Sequence, residues 1–198
     1  MKVVHVNPKT KEQKEMVVEH DDGIRENTSV EKLSKLRPAF KRDGLSTGGN
    51  SSQVTDGAAA VLLMTRKKAR EMGLEILGKI VAHSVCGVPP EIMGVGPAYA
   101  IPKVLEKCGL SKDDIDIYEI NEAFASQATW CVDKLGLDYA KVNPKGGAIA
   151  LGHPLGTTGA RQVATLIHEL RRTKKRYGVI SMCMGTGMGA AAVFEAEW

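Results

Sequence analysis

Between Asn143 and Gly159 the chain reads N-P-K-G-G-A-I-A-L-G-H-P-L-G-T-T-G, with five glycines, two prolines and one histidine, His153. No other stretch limits the possible folds so much. Glycine admits positive φ and close approach of a ligand to the main chain, whereas proline removes a donor and stiffens a turn. The segment is therefore a constrained loop, with its one titratable ring between Gly152 and Pro154. Ala160, Val163, Leu166, Ile167 and Leu170 follow at helical spacing, so a rigid helix anchors the loop. A loop of this kind is shaped to aim His153. The alternative is a tight strand-to-helix turn in which the imidazole caps the helix or satisfies a backbone carbonyl.

A chain of 198 residues supports one good core, or one domain with attached pieces. Its apolar and charged contents, 43% and 25%, exclude disordered and fibrous classes. No apolar run reaches bilayer length, and Met1-Lys2-Val3-Val4-His5 does not read as a signal peptide. Membrane insertion is not expected. Cys86, Cys108, Cys131 and Cys183 form no C-x-x-C pair, which points to a reducing compartment without disulfides or structural zinc. A formal charge of +4 suits an anionic ligand but is too small for nucleic acid, and no aromatic-basic interleaving supports that partner.

Residues 1 to about 45 are polar and irregular. Val3, Val4 and Val6 with Met16, Val17 and Val18 suggest a hairpin around Asn7-Pro8-Lys9-Thr10. Charged turns follow at Asp21-Asp22-Gly23 and Lys41-Arg42-Asp43-Gly44, and the segment buries too little apolar surface to fold alone. After the polar loop Ser46 to Ser52, Ala58 to Met64 is an apolar run of strand length. Arg66 to Met72 reads as a helix ended by Gly73, and Ile76 to Val85 as a buried strand. A helix opens with Pro97 in its first turn and ends near Gly109. Ser111 and Asp114 start a turn, and Ile115 to Ile120 alternates Ile and Tyr with acids as a strand. Glu122 to Leu135 is helical, closed by Gly136, with Asn121 at the junction. Beyond the His153 loop and its helix, Lys174-Lys175-Arg176 complements a helix C-terminus. Tyr177 to Met182 and Ala190 to Phe194 are strands around Gly185-Thr186-Gly187-Met188-Gly189. Strands alternating with helices indicate an α/β layered domain.

Three junctions share a geometry: Asn121 follows a strand, His153 sits in the glycine loop, and Cys183 ends a strand before glycines. Ligand sites of open α/β sheets gather where loops leave the carboxyl ends of strands. An amide fixes a water or carbonyl, an imidazole moves a proton near neutral pH, and a thiol donates or accepts one. Asn121 as a simple N-cap and Cys183 as a small buried hydrophobe are the competing readings.

The strings N-E-A-F-A from Asn121, G-G-A-I-A-L-G-H-P from Gly146 and C-M-G-T-G-M-G from Cys183 resemble, in order and spacing, the three C-terminal signatures of the thiolase family. D-D-G-I-R, G-N-S-S-Q-V-T-D-G-A-A-A and G-V-P-P-E-I-M-G-V-G-P-A-Y-A-I-P resemble the degradative 3-ketoacyl-CoA thiolases, most closely the peroxisomal type. The resemblance runs from about Lys2 to Phe194. It implies an α/β, layered αβαβα fold of two similar halves with an inserted loop domain, working as a homodimer. Residues 1–45 are then the tail of the loop domain, 46–74 the last strand and helix of the N-terminal half, and 75–198 the C-terminal domain. The family's nucleophilic cysteine, in a C-S-S-like motif, has no counterpart here, so the chain is expected to be a half that is inactive alone.

The resemblance also implies roles. His153 takes the proton of the nucleophilic cysteine, and Cys183 protonates the departing acetyl-CoA carbanion and then deprotonates the incoming CoA thiol. Asn121 holds a water that forms an oxyanion site with His153, and the Gly185 N–H serves a second oxyanion. Ser51, Met93 and Gly94 line the CoA channel. CoA and 3-ketoacyl-CoA are substrates, with no metal or redox cofactor. An imidazolium and backbone N–H groups near Cys183 are expected to favour its thiolate. Two other readings remain open: a non-catalytic CoA-binding or assembly module, and a biosynthetic acetoacetyl-CoA thiolase. The terminus Glu195-Ala196-Glu197-Trp198 is not an S-K-L-type address. A peroxisomal location therefore rests on resemblance, with the usual signal expected upstream of Met1.

Overall fold

Alternating valines at the start of the chain do form a hairpin. The computed structural model describes residues 1–21 and 23–198; Asp22, in the expected Asp21–Gly23 turn, lies outside the described residues. Strands β1 (Lys2–Val6) and β2 (Gln13–Val17) pair antiparallel from Lys2↔Val17 to Val6↔Gln13. The Asn7 carboxamide closes the turn by accepting from the Lys9 and Thr10 amides at 2.9 and 3.2 Å. Helix α1 (Val30–Ser34) is capped by Ser29. Residues Met1–Lys35 make one unit and Leu36–Trp198 another. The first buries none of its helix and little of its hairpin, as its composition demands.

In the second unit, helix α2 (Arg66–Glu71) starts at Thr65, whose hydroxyl accepts from Lys68 N, and stops before Gly73. Strand β3 (Gly78–Gly87), a 3₁₀ turn (Pro90–Val95) and helix α3 (Gly96–Cys108) follow. Next come β4 (Ile117–Ile120), α4 (Ala125–Leu135), the one-turn α5 (Ala148–Leu151) and α6 (Thr158–Thr173). The hairpin of β5 (Tyr177–Met184) and β6 (Met188–Ala196) completes the sheet. Strand order is β3-β6-β5-β4, with β4 parallel to β5 and the other pairs antiparallel.

Two cores lie on opposite faces of this sheet. Ile101, Val104 and Leu105 of α3 and Val132 of α4 pack with Tyr118, Ile120, Val179 and Val193. Leu166, Ile167 and Leu170 of α6 pack with Ile117 and Phe194. Because successive strand residues face opposite sides, Glu119 and Asn121 fall on the α6 face with Ile117. Strand β4 starts two residues later than the strand expected from Ile115, and all four of its residues are buried, the acid included, since helices cover both sides of the parallel pair.

Two further expectations change. The strand expected at Ile76–Val85 begins two residues later and is largely exposed, with Ile80 at 49% and Val85 at 48%. It is the sheet edge, and Ala82, Ser84 and Cys86, rather than its β-branched residues, face the core. Lys107 and Lys103 donate to the carbonyls of His83 and Val85 at 3.1 and 3.0 Å, which occupies edge groups that would otherwise recruit another strand. Ala58–Met64 forms no strand at all. A strand needs a neighbour for its backbone groups, the segment has none among the described residues, and Leu62 is 78% exposed.

Candidate active site

Asn121 continues β4 by one residue, its amide donating to the Ser181 carbonyl at 2.9 Å. It is not the helix cap, because α4 begins at Ala125, behind Phe124. The side chain is fully buried. Its Nδ2 lies 3.3 Å from His153 Nε2, and its Oδ1 has no partner among the described residues.

The histidine loop is tied down at several points. Asn143, at φ 46°, accepts from Ile120 N (2.9 Å) through Oδ1 and donates to Ile120 O (2.8 Å) through Nδ2. Its carboxamide thus acts as a piece of strand beside the end of β4. Glu122 accepts from Ile149 N at the start of α5 (3.3 Å). Residues 53–57 line the other side: His153 N donates to Gln53 O (2.8 Å) and Thr157 Oγ1 to Gly57 O (2.9 Å). Asn143→Ala strips both partners from Ile120 and is expected to cost about 1–3 kcal/mol. Urea denaturation measures it, and a loss under about 0.5 kcal/mol removes the clamp from the account.

Hydrogen bonding assigns the tautomer of His153. Thr158 Oγ1 donates to Pro154 O (3.1 Å), so it accepts from His153 Nδ1–H (2.6 Å). Nε2 is then the free base, facing the Asn121 amide. Burial lowers the imidazole below its ordinary value, and the Arg161 cation pushes the same way. The ring is neutral, aimed and basic. The readings in which it caps the helix or serves a carbonyl fail.

Cys183 is the penultimate residue of β5, opposite Gly189, at the end of a strand as expected. Burial raises its thiol, which runs against the expectation of a favoured thiolate. Cys131, fully enclosed in α4, is pushed up to about 11, mainly by burial. Alkylation of Cys183 by iodoacetamide, mapped by mass spectrometry, is therefore expected to be slow at neutral pH and to rise above the ordinary thiol range. A fast, pH-independent reaction at pH 6–8 contradicts a protonated thiol.

Gly185 is exposed in the β5–β6 turn, and a Cβ there would touch nothing within 4 Å. Steric need falls instead on Gly187, at φ 97°, where a Cβ would lie 2.5 Å from Val88 O. Ser51 bridges to Phe124, and its hydroxyl donates to Thr47 O (2.7 Å). Met93 and Gly94 lie in the 3₁₀ turn, Gly94 against Gln127 of α4. A cavity of 730 Å³ lies elsewhere, between Ala60–Met64, Leu74–Ile80 and α6, and none of these candidates lines it. Among the described residues no His/Cys/Asp/Glu cluster could hold a metal, and no helix is long and apolar enough to cross a membrane. Sequence reading missed Thr158, Asn143, Glu122 and Gln53. A threonine in the first helical turn and an asparagine opening the loop were the available signals.

Residues 74–196 match the family model "Thiolase, C-terminal domain", and residues 1–67 match "Thiolase, N-terminal domain". The chain belongs to the thiolase family. It is 64% identical over 193 residues to the peroxisomal 3-ketoacyl-CoA thiolase of Homo sapiens, covering 97% of this chain and 45% of that protein. The dimeric peroxisomal thiolase of Saccharomyces cerevisiae superposes with a TM-score of 0.83 at 61% identity, over 89% of this chain and 44% of that one. Human mitochondrial 3-ketoacyl-CoA thiolase in complex with CoA gives 0.88 at 45% identity, over 91% and 46%. The thiolase fold expected from the sequence is the fold observed. This thiolase chain spans less than half the length of these relatives.

Proposed function

We propose that this chain carries the acid–base half of a 3-ketoacyl-CoA thiolase site, an acyltransferase of fatty-acid β-oxidation. A 3-ketoacyl-CoA and CoA give acetyl-CoA and a shortened acyl-CoA. The observation that carries the reading is the pair of buried Asn121 and half-buried His153, in which Nε2 is the unprotonated, accepting nitrogen and Asn121 Oδ1 has no partner among the described residues. A nucleophilic cysteine from outside these residues gives its proton to His153 Nε2 and attacks the 3-keto carbon. The Cα–Cβ bond breaks, leaving the acyl group on that cysteine as a thioester, and the acetyl-CoA carbanion takes the Cys183 proton. A thiol raised by burial suits this, because it begins protonated. The Cys183 thiolate next deprotonates CoA, whose sulfur takes the acyl group. The expelled cysteine recovers its proton from His153.

Asn121 Oδ1 accepts from a water that presents its other hydrogen to the thioester oxygen, beside His153. Gly185, with open space above it, offers its N–H to the second oxyanion. Ser51 beside Phe124, and Met93 and Gly94 against α4, line the CoA path. The chemistry uses no metal or redox cofactor. The same reading divides the chain at 45 and 74 into loop-domain tail, end of the N-terminal half and C-terminal domain. It places the protein in the peroxisome as a homodimer, supported by the names of its relatives.

The test is thiolysis, read as loss of 3-ketoacyl-CoA absorbance, for the chain alone and for a protein carrying it behind an N-terminal thiolase domain. The chain alone is expected to be inactive and the extended protein active. An extended protein that binds CoA yet cleaves nothing supports an assembly module instead.

A further inference from the structure

Behind His153, helix α6 and strand β4 meet in a polar seam that the chemistry above does not use. Thr158, Arg161 and Gln162 share one face of α6, being three and four residues apart. Glu119 and Asn121 share one side of β4. The uppermost contact is Thr158–His153–Asn121 (2.6 and 3.3 Å). In the next, Arg161 Nη1 donates to Glu119 Oε2 at 3.0 Å. Below it, Gln162 Nε2 donates to the carbonyls of Glu119 (2.9 Å) and Ser181 (3.3 Å). Glu119, Asn121, Thr158 and Gln162 are all enclosed.

A buried ion pair rarely stabilises a fold more than apolar residues of similar size, so its position needs another explanation. We propose that Arg161, fixed by Glu119, is a positioning residue that keeps the neighbouring His153 in its neutral, proton-accepting form. The inference deepens the reading of His153 as the base and rests on it. Arg161 is the one cation acting on the ring among the described residues, and burial acts in the same direction. Glu119 in turn moderates that cation. Burial, and to a smaller extent Glu122 and Glu169, push its carboxyl up to about 7 against the pull of Arg161. Glu169 is itself held by Arg172 and Lys145, and Glu122 by Ile149 N. The Cys183 and Cys131 thiols are raised by burial and add no charge at neutral pH.

As pH falls, Glu119 takes up a proton, Arg161 loses its counter-charge, and its full field then opposes protonation of His153. The two groups therefore titrate against each other. The imidazole keeps its free base at pH values where an isolated histidine would lose it.

Histidine ¹⁵N NMR titration of the chain tests this without turnover, His153 being assigned by its loss in His153→Gln. Arg161→Gln is expected to move the His153 midpoint to higher pH by about half a unit, and Glu119→Gln, which removes a carboxyl already mostly protonated where the imidazole titrates, to move it lower by a smaller amount. Arg161→Lys keeps the charge and the midpoint. A merely structural pair would not give shifts of opposite sign. An unchanged midpoint in Arg161→Gln overturns the proposal. If that variant does not fold, an upward or absent shift in Glu119→Gln overturns it. If neither folds, the parent curve decides: a titration broader than one proton supports coupling, and an ideal one-proton curve overturns it. Failure of this coupling leaves the thiolase reading standing, and failure of thiolysis leaves the coupling standing.

Discussion

His153→Ala, in a protein that carries this chain behind an N-terminal thiolase domain, is expected to lower kcat for thiolysis by about 10²–10⁴. Asn121→Ala is expected to lower it by about 10²–10³. Nε2 is the only basic atom that the Thr158 contact leaves free, and Asn121 is its buried partner. Both act on charge that develops during reaction, so KM should move little. A tenfold rise in KM with kcat unchanged would assign Asn121 to ordinary binding. The pH profile carries a second signature. The folded imidazole is lowered by burial and by Arg161, so the base form persists below the ordinary imidazole value. The acid limb of kcat/KM is displaced to lower pH, and it disappears with His153→Ala. The same shift makes the unfolded chain bind more protons than the folded one in that window, so this histidine's contribution to stability falls as pH falls through it.

Gly189→Ala is expected to destabilise the fold by about 3 kcal/mol or more, the upper range for overpacking. A Cβ at 189 overlaps the Gly96 carbonyl, and one at 96 would lie 2.7 Å from Gly189 Cα and 2.8 Å from Met188 O. Backbone meets backbone on both sides, so no side chain can swing away. The start of α3 would have to lift from β6. Because Gly189 pairs with Cys183, the thiol would move with it. Gly185→Ala, four residues earlier in open space, is the control and should stay within about 0.5 kcal/mol. Urea midpoints compare the two. Equal midpoints would mean that α3 yields without cost and that this close approach is not a constraint.

The turn and the pair it aims were legible because their signals are local. Glycine and proline fix the loop at His153, and Gly109 and Gly136 end helices in left-handed turns. What escaped depends on partners distant in sequence. Glu119 sits in a strand of mixed acids and apolar residues, and only the helix across from it, forty-two residues on, supplies Arg161. Ile80 and Val85 read as core residues, yet the edge position of β3 follows from strand order rather than from composition. Ala58–Met64 has strand chemistry without a strand neighbour among the described residues. The raised Cys183 thiol is set by burial, which depends on how the sheet and its neighbours close around it and leaves no local signal in the sequence.

The Asn143 carboxamide turns one core amide into a reporter on the loop. Ile120 lies at the end of a fully enclosed strand, but its N–H is held by Asn143 Oδ1. Its hydrogen–deuterium exchange thus requires the loop to leave the sheet, without any need for the sheet to open. If Ile120 exchanges as slowly as its strand neighbours, His153 is stationary on the timescale of catalysis, and substrate must come to a fixed imidazole. If it exchanges faster, the rate measures how often the site comes apart.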